Sequence, residues 1–158
     1  MNATQAIELS PLARWMREAL WAYPAVEAVH ILALGLLVGS AVIVDLRLLG
    51  LSRDVSVSRL SRLALPWTVG AFAVAMCTGL LMLTAHAGDF LTNRVFALKM
   101  GLILVAGANA GIVHTGPWRS IAQWDTGPMP PPAVRFAAGL SIALWIAVVA
   151  CGRLLAYT

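Results

Sequence analysis

Four stretches of this chain, about 25–48, 63–87, 95–115 and 135–153, are each apolar over the roughly 20 residues a helix needs to cross a bilayer core. No water is available at that depth to satisfy a backbone, so each stretch must be a helix, and short connections make neighbours antiparallel. The expected fold is all-α: a polytopic membrane protein built as an antiparallel four-transmembrane-helix bundle, a single integral domain over residues 1–158. Only 11% of residues are charged, against about one quarter in soluble domains, and nothing remains for a soluble domain. Catalytic or binding groups must therefore lie inside the bundle or on its loops. The net charge of +4 does not point to nucleic acid, because the arginines flank the spans, where they mark topology, and the partner implied is the lipid bilayer.

The N-terminal residues to Ser10 lack a basic region leading into a cleavable apolar run, so no signal peptide is expected to be removed. Ser10-Pro11 reads as an N-cap with proline at the first helical position, opening an amphipathic helix over 10–22. Leu12, Trp15, Met16, Ala19 and Leu20 share one face, and Arg14, Arg17 and Glu18 the other. Such a helix lies in the membrane surface or docks on the bundle, and Pro24 separates it from the first span. Basic residues number four on the side of the termini (Arg14, Arg17, Arg94, Arg153) and six opposite (Arg47, Arg53, Arg59, Arg62, Arg119, Arg135). This favours termini outside the cytoplasm.

Gly35/Gly39 in the first span and Gly107/Gly111 in the third have the small-xxx-small spacing that lets helices approach closely, so a neighbouring helix, a second copy or a partner subunit is expected there. Pro66 either kinks the second span or marks its start. The fourth span offers little chemistry. Cys77 and Cys151 stand at unrelated spacing and make neither a disulfide framework nor a metal-binding pair. No hydrolase or nucleotide-binding motif is present.

Ionisable groups inside spans are costly and normally face other helices, which makes them the candidate site. Glu27, His30, His86 and Lys99 fall on the terminus side, and Asp45, Arg47 and His114 on the other. His30 and Lys99 each lie about 9 Å into their spans at 1.5 Å per residue, so they could face each other. Glu27, one turn above His30, completes a cluster in which a carboxylate partners a buried ammonium. That cluster is either a site or an ion pair fixing helix order. His114 lies on the order of 20 Å from His30, too far to share one metal, and belongs with Asp45 or Arg47.

The pattern of a first-helix His30, DLRLLG at that helix's end, Pro66-Trp67, Thr78-Gly79, and FALKMGL followed by Asn109 and His114 resembles an uncharacterised family of small four-helix bacterial membrane proteins. It is more distantly similar to the copper-resistance D transmembrane domain and to the four-helix protoporphyrinogen oxidase family that binds haem b. The first likeness covers nearly the whole chain and implies a multi-pass protein of the bacterial inner membrane, in which the arginine count makes the termini periplasmic. The oxidase likeness implies roles for a first-helix histidine and a third-helix lysine, here His30 and Lys99.

Two functions of different class follow. One is a haem b protein for redox or electron-transfer work, ligated by His30 with or without His86, the latter nearer the surface. The other is copper binding or transport, since Met76, Cys77, Met82 and Met100 join His30 and His86 in the same half and soft sulfur suits Cu(I). A non-catalytic accessory subunit is the third reading.

Overall fold

The computed structural model describes residues 3–155 and 157, and among them every regular element is helical. Four helices carry the membrane-spanning apolar stretches: α3 (Ala22–Leu48), α4 (Val57–Ala85), α6 (Arg94–Thr115) and α7 (Pro132–Leu154). Three shorter elements flank them: α1 (Ala3–Glu8), α2 (Pro11–Glu18) and α5 (Ala87–Thr92), with a 3-10 helix at Pro117–Gln123. The four-span helical bundle expected from hydropathy is therefore the fold.

The boundaries follow caps more than hydropathy. Ser10 caps α2 as expected, its Oγ accepting from the Ala13 N–H at 3.2 Å. The break before α3 falls ahead of Pro24, which sits inside the first turn of α3, where its missing N–H has no intrahelical partner to lose. The second span starts six residues earlier than its apolar run, because Ser56 caps it, and Pro66 lies in its interior.

The spans pack as an open arc rather than a closed square: α4 against α3, α3 against α7, and α7 against α6. Helices α4 and α6, at the two ends of the arc, do not form a packed pair. Ser40 Oγ and Thr68 Oγ1, 2.8 Å apart, tie α3 to α4, and Asn109 Nδ2 donates to the Ala137 carbonyl at 2.9 Å, tying α6 to α7. In lipid such bonds, with close packing, stand in for the missing hydrophobic drive between helices. The outward faces are apolar: Leu32, Leu104 and Phe136 are each more than 70% exposed, as a lipid-facing surface requires.

On the terminus side α2 docks on the bundle by one edge. Met16 is buried with Ala22 and Ala85, and Arg17 donates to the Ala85 carbonyl at 3.0 Å and the Glu8 carbonyl at 2.7 Å. The expected single apolar face is thus divided: Met16 turns inward, while Leu12, Trp15 and Leu20 stay exposed for the membrane surface. On the opposite side the two long loops interlock around a plug of Leu48, Val57, Trp124, Val134 and Ala138.

Candidate functional site

Terminus-side chemistry is organised by His30 on α3. Its Nδ1 lies 2.8 Å from Thr78 Oγ1 of α4, whose hydroxyl also reaches the Val74 carbonyl at 2.7 Å. A β-carbon added at Gly79 would stand 3.2 Å from His30 Cε1, so the glycine allows the ring to lie directly against α4. Anchoring one ring nitrogen in this way fixes the imidazole plane and leaves Nε2 as the free donor atom. Lys99 reaches across from α6 to α7, where its Nζ would lie 3.5 Å from a β-carbon at Gly152. It lies within electrostatic reach of the His30 ring. Lys99 makes no hydrogen bond or ion pair with the described residues, and stands as a half-buried cation without an anion.

Glu27 does not fill that role. It is exposed on the outer face of α3, and among the described residues no ion pair joins it to Lys99. Six residues into α3, it lies near the membrane border, where water costs less to reach than a partner across the bundle. His86, at the junction of α4 and α5, is turned out of the bundle: its ring meets Tyr23 edge-on at 6.1 Å and its Nδ1 lies 3.9 Å from Asp89 Oδ2. The bundle interior on this side therefore holds one histidine.

The sulfur set is scattered. Ala75 and Thr78 are among the residues α4 buries, so Met76 and Cys77, one and two positions past Ala75, point about 100° and 200° away and are exposed. Met82 packs at the α2 docking edge, and Met100 is half-buried on α6. Among the described residues no three His, Cys, Asp or Glu side chains converge as a metal cage.

Loop-side groups divide in a way spacing did not show. Arg47 is buried in the loop plug and donates to the carbonyls of Val55 at 2.6 Å, Asp125 at 2.9 Å and Arg53 at 3.2 Å. Two positions apart on a helix, Asp45 and Arg47 point about 200° from one another, so Arg47 leaves the polar group placed with His114. Asp45 and His114 do share surroundings, since both line a cavity of about 350 Å³ between α3, α4, α6 and α7. His114 Nδ1 donates to the Ala110 carbonyl at 2.9 Å and its ring stacks on Trp118 at 4.7 Å.

Asp125 was not visible as important from sequence. Its carboxylate accepts from the Ser58 N–H at 2.7 Å, the Ser58 hydroxyl at 2.8 Å and the Ser56 hydroxyl at 2.7 Å. The Ser58 backbone N–H above all, with both hydroxyls and the Arg47 charge, holds this carboxyl below the usual carboxylate range. A lone Asp followed by Thr-Gly reads as a turn, and only the fold brings it to the start of α4.

Gly35/Gly39 and Gly107/Gly111 pack against nothing within the chain: a β-carbon at any of the four would meet open space, and all four are exposed. The inner contacts of α3 use Ala33 and Leu37 instead, so the glycine stripes face outward.

No curated protein and no solved structure matches the chain. A family model described as a family of unknown function, DUF6644, matches residues 19–158, from just before the first span to the C-terminus, and the chain belongs to that family.

Proposed function

We propose that this protein is a membrane-embedded haem b protein doing redox or electron-transfer work, in which His30 would hold the iron. The observation that carries the reading is the anchored imidazole with an ammonium in the same half of the bundle that has no ion-pair partner among the described residues. Thr78 holds His30 Nδ1, Gly79 leaves room for the ring, and Lys99 has no anion bonded to it among the described residues. Haem presents an iron that takes imidazole and two carboxylates that suit a lysine, so the donor types of His30 and Lys99 match the group. When bound, haem supplies a one-electron iron couple. The chain's own contribution is to orient the ligand through Thr78, offer the Lys99 charge to a carboxylate and exclude water with apolar helices. The distant likeness to the haem-binding oxidase family points the same way. Copper handling is the weaker reading, because its soft ligands point away from one another.

The test is the absorption spectrum of the purified protein, with reduced-minus-oxidised difference bands. His30→Ala should lose the bands while His114→Ala keeps them. A colourless protein with near-stoichiometric copper would sink the haem reading.

The outward glycine stripes support a second statement, that the chain assembles with a second copy or a partner subunit through Gly35/Gly39 or Gly107/Gly111. Crosslinking in native membranes, with Gly39→Leu as the disrupting variant, tests it. The excess of arginines on the loop side supports a further reading, a bacterial inner-membrane protein with its termini outside the cytoplasm.

A further inference from the structure

The loop-side cavity is not used by the reading above. It lies where α4 and α6 fail to pack, and its mouth is open on the lipid-facing surface: Leu65 and Val69 on one lip, and Gly107, Ala110 and His114 on the other, remain exposed. A volume of about 350 Å³ is within the range of small-molecule sites, which are typically apolar with a few convergent polar groups.

Several polar groups of the lining are occupied. Thr68 bonds Ser40 and the Ala64 carbonyl, Asn109 donates to Ala137, and His114 to Ala110. Two are not. Asp45 is 8% exposed, with Ser141 its hydroxyl neighbour, and its Oδ2 is buried with no partner; Ser61 Oγ, on the facing helix α4, is likewise buried and unpartnered. Asp45 is the one formally charged side chain in the lining, and the nearest arginine in sequence, Arg47, is engaged in the loop plug. A carboxylate buried without a counter-charge is expensive, and intramembrane acids of this kind mark ligand paths. The rings of Phe72, Trp118 and Trp145 line the same cavity, and aromatic faces attract cations.

We propose that this cavity binds a lipophilic organic ammonium ion, a compact apolar body bearing one cationic N–H donor, that enters between α4 and α6 from the lipid and takes Asp45 as its counter-ion. Charge complementarity selects this occupant over a neutral lipid tail, which would leave Asp45 Oδ2 and Ser61 Oγ unpaired, and over a helix of a second copy, whose glycine stripes offer no cation.

The probes are 1-adamantylammonium and its neutral near-isostere 1-adamantanol, titrated into the purified full-length chain while tryptophan fluorescence is followed, since Trp118 and Trp145 line the cavity. The ammonium should bind saturably, and the alcohol at least about tenfold more weakly, because it forms no ion pair. Asp45→Asn should erase the preference for the cation. Gly107→Leu, which adds a side chain at the mouth where a β-carbon meets open space, should weaken both probes without touching Asp45. If Asp45→Asn fails to fold, the alcohol comparison and Gly107→Leu still decide. Equal binding of the two probes, ammonium binding unchanged in either variant, or uptake of neither probe by a protein whose α4–α6 mouth is closed in a dimer would overturn the proposal.

Discussion

Replacing Asp125 by alanine should loosen the start of α4 by a measurable and pH-dependent amount. The first turn of that helix exposes N–H groups with no intrahelical acceptor. Here they are met from outside: the Val57 N–H by the Asp125 carbonyl at 3.1 Å, the Ser58 N–H by its carboxylate at 2.7 Å, and the Arg59 N–H by Ser56 Oγ at 3.2 Å. Asp125→Ala keeps the first and third and deletes the second. The two serine hydroxyls it also frees can turn to water at this half-exposed position, so the Ser58 N–H dominates the loss. A lost capping acceptor of this kind costs about 1 to 2 kcal/mol. For a chain of 158 residues that is a fall of about 2 to 8 °C in the unfolding midpoint in detergent. The sign with pH follows from the depressed carboxyl. Its stabilisation is present above the ordinary aspartate value of about 4, and is lost as pH falls through the lower folded value. The gap between wild type and variant should therefore be full at pH 7 and narrow on acidification below about 4. An unchanged midpoint at pH 7, or a gap that fails to narrow in acid, would refute the capping argument.

Three further outcomes are expected. Arg47→Met should lower accumulation and the unfolding midpoint more than Asp125→Ala does, by at least about 3 kcal/mol, because the carbonyls of Val55, Arg53 and Asp125 lose one shared donor; a midpoint equal to wild type would contradict it. Thr78→Val should keep the fold but free the His30 ring, so the haem bands should shift or weaken while Ser40→Ala leaves them in place, and identical spectra for the two variants would remove Thr78 from the site. Reporter fusions after Ser52 and at the C-terminus should report cytoplasmic and external locations respectively, and the reverse pattern would invert the topology.

Sequence alone determined where the chain crosses the membrane, because length and hydropathy are local and a bilayer asks only for about 20 apolar helical residues. It also placed His30 and Lys99 in one half, since depth follows from residue count at a fixed rise. Rotation of each helix about its axis was not legible. In lipid an apolar side chain is equally content against a neighbour or an acyl chain, so α3 and α6 are apolar all round and carry no stripe to say which face is inside. That is why Glu27, read as facing the bundle, lies outward, why spacing alone leaves open whether the glycine pairs face a neighbouring span or lipid, and why Asp45 and Arg47, two residues apart, go to a cavity and to a loop plug. Asp125 depends on a contact across 67 residues to Ser58, which no local pattern encodes. Only the tertiary structure, by leaving α4 and α6 unpacked at the ends of the arc, decided that a cavity exists and that a lone carboxylate lines it.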